Sequence, residues 1–261
     1  MITQVENPIL EVHNLTVAYN KKPALWNVDF TIPKGNLVGI IGPNGAGKST
    51  LIKAIMGLIP LSSGYAKLFG QDLDRVRNKV SYVPQRESVD WDFPASALDV
   101  VLMGCYGKRG LFRWLTKSDK DLALACLEKV RMEGFANRQI AQLSGGQQQR
   151  VFLARSLAQQ ADLYFMDEPF AGIDATTESA ILELLSDMRD EGKTILVVHH
   201  DLQSAYEYFD WIILLNTRLV ASGPKLEVFN PKLLQQTYGG KLSVLSQMGD
   251  LLQEKEFPVR E

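Results

Sequence analysis

Hydrophobic and polar residues alternate near the start of the chain. Trp26, Val28, Phe30 and Ile32 are separated by polar residues, and this period of two predicts a strand with one buried face. A short continuous apolar run follows at 37–41, as is typical of a strand buried on both faces of a parallel sheet. Similar runs recur at 163–166, 194–198 and 211–215, with helix-like segments between them. The pattern predicts an α/β core.

The middle of the chain, from about 90 to 160, has helical patterns and no convincing strand. Thr116 or Ser118 can cap a helix there, and we expect Gly134 to end it. Its apolar stripe consists of Ala123, Cys126, Leu127 and Val130. This part of the chain is therefore predicted to be a helical insertion between core strands.

Composition excludes some classes of protein. The chain has 261 residues and a net charge of −2, so no basic excess indicates a nucleic-acid partner and we expect none. The two cysteines, Cys105 and Cys126, lack metal-ligand spacing and fit a reducing compartment. We expect no signal peptide at the start, and no uncharged apolar run approaches the ~18 residues that a membrane span needs. Any membrane role is expected to come through a partner.

A glycine-rich loop follows the first buried strand and fits the pattern G-x-x-x-x-G-K-[ST]. Its glycines allow backbone N–H groups to surround phosphate oxygens, at the start of a helix whose dipole favours an anion. Lys48 is expected to reach the β- and γ-phosphates of ATP, and Ser49 to ligate Mg²⁺. The alternative is a glycine-rich turn with an exposed lysine. The predicted phosphate-binding residues are Gly42, Pro43, Asn44, Gly45, Ala46, Gly47, Lys48, Ser49 and Thr50.

Two carboxylates end the apolar run at 163–166. Asp167 is a candidate ligand for Mg²⁺, and Glu168 is a candidate general base that polarises the attacking water. The alternative is a strand that ends in acidic surface residues. The loop and the acidic strand together predict a nucleotide hydrolase.

Residues 116–119, TKSD, match a guanine-reading tetrapeptide and would indicate a GTPase. No apolar strand leads into them, and they precede the acidic strand instead of following it. We therefore interpret them as a helix cap.

Residues 143–150, LSGGQQQR, resemble the signature of the ABC ATPase family. The other motifs of that family follow in the same order, and the resemblance covers about 10–228. They are Gln85, Asp167 with Glu168, residues 171–174 and His200. One departure is AGID at 171–174, where SALD is commoner; it removes a hydroxyl near the partner's site.

The resemblance implies further roles. Ser144, Gly145 and Gly146 open a helix that would bind the γ-phosphate of ATP held by a second copy of the chain. His200 would contact the γ-phosphate and the attacking water, whereas His199 is expected to be structural. The other implied roles are adenine stacking by Tyr19, contact with Mg²⁺ or its water by Gln85, and coupling across the dimer by Asp174.

The resemblance also implies an architecture and partners. We expect an ABC ATPase domain over 1–240, with a P-loop core sheet, an N-terminal antiparallel β subdomain and a helical subdomain inserted at about 90–160, followed by a tail at 241–261. Two copies would close head to tail on two ATP molecules, at the cytoplasmic face of a membrane and beneath permease subunits.

Residues 82–94 and 99–104 resemble the subfamily that imports manganese, zinc or iron, which includes an extracytoplasmic metal-binding protein. Trp91 and Phe93 are either core anchors or part of the permease docking surface, and we favour docking. A different importer substrate, an exporter and a soluble ABC ATPase remain alternatives. The cysteines and the three histidines are not expected to bind the transported ion.

Overall fold

The computed structural model describes residues 2–109 and 114–239, so the predicted tail at 241–261 lies outside them. Two compact units are present: residues up to 73 together with those from 198 form one, and 74–197 form the other. The strands are β1 (Leu10–Tyr19), β2 (Lys22–Ile32), β3 (Leu37–Ile41), β4 (Ser63–Leu68), β5 (Val80–Val83), β6 (Leu163–Asp167), β7 (Thr194–Val198), β8 (Trp211–Asn216) and β9 (Arg218–Pro224). The helices are α1 (Lys48–Ile55), α2 (Leu73–Val76), α3 (Ala97–Met103), α4 (Tyr106–Arg109), α5 (Lys117–Lys129), α6 (Gly145–Ala158), α7 (Ala175–Asp190), α8 (Leu202–Tyr208), α9 (Lys225–Val228) and α10 (Pro231–Tyr238).

The first unit contains an antiparallel sheet with the order β2-β1-β4, which confirms the expected antiparallel subdomain. Asn20 and Lys21 join β1 to β2, and both have positive φ (48° and 65°). Two consecutive left-handed residues make the type of tight turn whose twist matches that of a hairpin. Tyr19, the last residue of β1, pairs with Lys22 directly beside this turn.

The prediction that Trp26 lies on the buried face of its strand is wrong, because its side chain is 46% exposed. Asn27 has a φ of 50°, and the register of β1 and β2 shifts at this point: Leu15 pairs with Val28, but Val17 pairs with Leu25. This irregularity shifts the alternation by one residue, so Leu25 is buried in place of Trp26.

The same unit contains part of the parallel core. Strand β3 is buried at all five positions and pairs in parallel with β8, while β9 pairs with β8 in the antiparallel direction. Helix α1 begins at Lys48, directly after the glycine-rich loop. The apolar runs at 37–41 and 211–215 are therefore confirmed as strands.

The second unit contains β5, β6 and β7 in this order, with β5 and β6 parallel. Between 90 and 160 its described residues form helices α3 to α6 and no strand, as predicted. Helix α5 ends at Lys129, so the prediction that Gly134 ends it is wrong. Arg131 takes the left-handed conformation after the helix (φ 55°), although it is not glycine.

Candidate functional site

The glycine-rich loop is held by close backbone contacts within its own unit. A Cβ on Gly42 would lie 2.0 Å from the Leu215 carbonyl oxygen, so no side chain fits there. Gly45 and Gly47 have φ values of 79° and 95°, in the left-handed region that glycine adopts without strain. The Thr217 N–H donates to the Ala46 carbonyl at 2.8 Å. The loop therefore has a defined shape that depends on its glycines.

Lys48 is the first residue of α1, and only 6% of it is exposed. Its Nζ donates to the carbonyl oxygens of Gly42 and Pro43, at 2.8 and 3.0 Å. The ammonium group thus lies at the centre of the loop and not in solvent, which argues against the alternative of a simple turn with an exposed lysine. Ser49 and Thr50 are half-buried in the first turn of the same helix.

Tyr19 is 50% exposed at the end of β1. The hairpin turn that follows it leaves the aromatic ring available to a flat partner. This geometry permits the stacking role that the sequence suggests.

Asp167 and Glu168 lie at the carboxyl end of β6, as predicted. Asp167 is fully buried. Glu168 has a φ of 51°, a left-handed conformation that is uncommon for a residue other than glycine. Its Oε2 accepts a hydrogen bond of 3.1 Å from Nε2 of Gln85, so the predicted general base meets a predicted Mg²⁺ contact 83 positions away.

Ser144 is the N-cap of α6, and its hydroxyl accepts from the Gln147 N–H at 3.3 Å. Gln147 in turn accepts from the Ser144 N–H at 2.9 Å, completing a capping box. A Cβ on Gly146 would lie 2.6 Å from the Gly172 carbonyl oxygen, so the start of the helix packs closely on the loop after β6. The first turn still offers N–H groups that the helix itself does not use.

A cavity of about 420 Å³ in the second unit brings together five of its predicted residues, but Asp167 and Asp174 do not line it. The N-terminus of α6 opens onto this cavity, and its positive dipole favours an anion there, whereas the carboxylates of Glu87 and Glu168 line the same cavity. The lining residues are Gln85, Arg86, Glu87, Ser144, Gly145, Gly146, Glu168, Ala171 and Gly172. Lys48, Ser49 and Tyr19 belong to the first unit, as does His200.

His199 and His200 differ in the way the sequence predicted. His199 is 1% exposed and its Nε2 lies 2.7 Å from the Ser204 hydroxyl. Burial, with a smaller contribution from His200, lowers the pKa of His199 to about 4, so the ring is neutral near pH 7. His200 is exposed and available to a ligand.

Asp174 is the N-cap of α7 and accepts from the Thr177 N–H at 3.0 Å. Hydrogen bonds from Thr177 lower the pKa of this exposed carboxyl, and Asp174 is therefore charged at neutral pH. An exposed and charged aspartate at this position is available for contact with another chain.

Two residues that sequence reasoning missed are Arg86 and Gln148. Nε and Nη2 of Arg86 donate to Oε1 of Gln148 at 3.2 and 3.0 Å. Arg86 belongs to a polar loop and Gln148 to a run of three glutamines, and neither context carries a local signal of the contact.

The aromatic pair after Gln85 divides into two environments. Trp91 is half-buried and its ring packs edge-on against Phe152, with centroids 4.8 Å apart. Phe93 is 51% exposed. Trp91 is thus an anchor within its own unit, and Phe93 is the residue of the pair that faces solvent.

The ABC transporter family model matches residues 25–171. The chain is 60% identical over 236 residues to the manganese transport system ATP-binding protein of Bacillus subtilis, covering 90% of this chain and 94% of that protein. It is 56% identical over 234 residues to the zinc transport system ATP-binding protein of Treponema pallidum, covering 90% and 88%.

Solved structures agree with the fold. An ABC transporter in an inward-facing conformation matches with a TM-score of 0.76 and 26% identity, over 89% of both chains. A dimeric ATP-binding cassette bound to ADP and phosphate in a post-hydrolysis state matches with a TM-score of 0.73 and 30% identity, over 83% of this chain and 98% of the other. In the described part of the chain, no helix combines the length and the apolar character needed to cross a bilayer.

Proposed function

The chain belongs to the ABC transporter family as an ATP-binding subunit with ATPase activity, and on this premise we propose that it energises the import of a transition-metal ion. Manganese and zinc are the first candidates, and iron is the next. The observation that carries the proposal is the high identity to ATP-binding proteins named for manganese and zinc transport, extending over nine-tenths of the chain. Cargo does not need to touch an ATPase subunit, so the choice of ion rests on this similarity.

We further propose that the subunit works at the cytoplasmic face of a membrane, beneath a permease that receives the ion from an extracytoplasmic metal-binding protein. The exposed Phe93, in the segment that follows Gln85, is a side chain that a partner can bury. Trp91 would hold this segment in place through Phe152.

The proposed chemistry assigns one task to each group. Tyr19 stacks on adenine, the loop over 42–50 surrounds the phosphates, and Lys48 neutralises their charge. Glu168 accepts the proton of the attacking water, and His200 contacts the γ-phosphate. The hydroxyl of Ser144 and the N–H groups of Gly145 and Gly146 contact the nucleotide of a second copy.

We propose Mg²⁺ as the metal, with one candidate ligand, Ser49, in the first unit and two, Gln85 and Asp167, in the second. Ser49, Gln85 and Asp167 offer hydroxyl, amide and carboxylate oxygens, which are the ligands that this hard cation prefers. With the nucleotide bound, the ion would supply positive charge to the β- and γ-phosphates. Asp167 is fully buried at the end of β6, as suits a carboxylate that holds a cation.

The test is reconstitution of the subunit with its permease in liposomes, with phosphate release measured as metal-loaded binding proteins are added. We expect stimulation by the manganese- or zinc-loaded protein. The Glu168→Gln variant should lose turnover by at least about a hundredfold, whereas Glu183→Gln on the exposed face of α7 should not. Stimulation by a sugar- or peptide-binding protein, and by no metal-loaded one, would contradict the proposal.

A further inference from the structure

One face of α6 contacts β5 and the segment that follows it. The contacting residues, Gln148, Phe152 and Arg155, are spaced by four and three positions and so lie on one side of the helix. Phe152 packs against Trp91, and Nη2 of Arg155 donates to the Tyr82 carbonyl at 3.4 Å. Arg86 provides the contact closest to the N-terminal end of α6, through Gln148.

The Gln148 side chain is 3% exposed and is satisfied at both ends. Its Oε1 accepts two hydrogen bonds from Arg86, and its Nε2 donates to the Ile140 carbonyl at 3.1 Å. Ile140 begins the turn that leads into Ser144. Arg86 is therefore linked to α6 and, through the same buried amide, to the segment that precedes it.

Arg86 is also adjacent to the groups that act in hydrolysis. The preceding residue, Gln85, donates to Glu168. The guanidinium lies against the first residue of α6, since a Cβ on Gly145 would lie 2.8 Å from Nε and 2.9 Å from Cζ of Arg86. Trp91 fixes the backbone here by donating from Nε1 to the Arg86 carbonyl at 2.8 Å.

We propose that Arg86 is a positioning residue that orients the N-terminal end of α6 relative to Glu168 by binding Gln148. Two adjacent residues make these contacts: Gln85 donates to Glu168, and Arg86 donates to Gln148 of α6. Any displacement of this dipeptide therefore moves both contacts together. The inference rests on the proposed function, because orientation of Ser144 matters only when it meets a second copy's nucleotide.

The test uses Arg86→Met, Gln148→Met and the double variant in the full-length chain. Binding of a fluorescent ATP analogue to the monomer should stay within about twofold of wild type, because the phosphate loop is unchanged. Turnover and ATP-driven dimer affinity should fall by about tenfold in each single variant. The double variant should show no loss beyond that of Gln148→Met, which removes both the contact with Arg86 and the bond to the Ile140 carbonyl. Arg75→Met, on an exposed residue of α2, is the matched control and should retain wild-type values.

A loss of folding stability must be distinguished from a loss of orientation of α6. Urea unfolding of the double variant should recover towards wild type, because apolar groups of similar shape replace both partners. A double variant that regains stability but not dimer affinity supports the positioning role. Wild-type dimer affinity in the single variants would overturn the positioning role. So would wild-type turnover in both Arg86→Lys and Gln148→Met. A wild-type chain that does not dimerise with ATP would instead contradict the proposed function.

Discussion

At the scale of single residues, Lys48 provides the phosphate loop with a buried positive charge. Lys48 is buried and donates to two carbonyl oxygens of its own loop. The loop therefore brings a positive charge and its N–H groups to one place, as an anion requires.

Replacement of Lys48 by alanine should weaken ATP binding by about ten- to a hundredfold, because a charge-assisted hydrogen bond to phosphate is lost. Titration with a fluorescent ATP analogue measures this. Lys53→Ala removes a lysine from the last turn of the same helix and should bind normally. Equal affinity in the two variants would exclude the phosphate-binding role of Lys48.

His199 should make the protein sensitive to acid. Its pKa is about 4 in the folded chain against an ordinary value of 6.5, so the unfolded chain binds the proton first as pH falls. The free energy of unfolding should decrease between pH 6.5 and 4, by up to about 1.4 kcal/mol per pH unit. Above pH 6.5 this contribution is constant.

Urea unfolding of wild type and His199→Asn at several pH values tests this. The free energy of unfolding of wild type should exceed that of the variant by more at pH 7.5 than at pH 4.5. An advantage that is equal at both pH values would show that protonation of His199 does not contribute.

At the scale of elements, the sequence predicted the strands whose burial is visible in a few consecutive residues. Strands at 37–41, 163–167 and 194–198 are buried at every position, so their continuous apolar runs identify them. Only one of the six residues of strand β4 is buried, and this strand was not predicted, since its residues show no alternation. Trp26 was placed wrongly because the left-handed Asn27 interrupts the period of two.

The same reasoning explains why some contacts of the site were predicted from the sequence and others were not. The phosphate loop, the acidic strand end and the N-cap of α6 each lie within a few consecutive residues, so a motif contains all their chemistry. The contact of Arg86 with Gln148 joins residues 62 positions apart, and it exists only because the fold places α6 beside the segment after β5.

The tetrapeptide at 116–119 gives a prediction at this scale. The Asp119 carboxylate accepts from both the N–H and the hydroxyl of Thr116, each at 2.7 Å, and is 8% exposed. Asp119→Ala should destabilise the fold by about 1 kcal/mol and leave the preference for ATP over GTP unchanged. The exposed Asp121→Ala is the control. A changed nucleotide preference would restore the guanine-reading interpretation.

At the scale of the whole molecule, each described unit contains only part of the proposed chemistry. The phosphate loop belongs to one unit, and Ser144, the proposed general base Glu168 and the cavity at the start of α6 belong to the other. The N-terminus of α6 can bind a phosphate, and we propose that a second copy supplies it. The central claim is therefore that two copies close on ATP.

Sedimentation of Glu168→Gln with and without Mg-ATP tests this claim most directly, because hydrolysis no longer separates the subunits. Mg-ATP should convert the monomer to a dimer. Adding Ser144→Arg should block that shift by filling the start of α6, whereas Ser62→Arg, on an exposed serine before β4, should not. A Glu168→Gln chain that stays monomeric with Mg-ATP, or a Ser144→Arg chain that dimerises equally well, would contradict the claim.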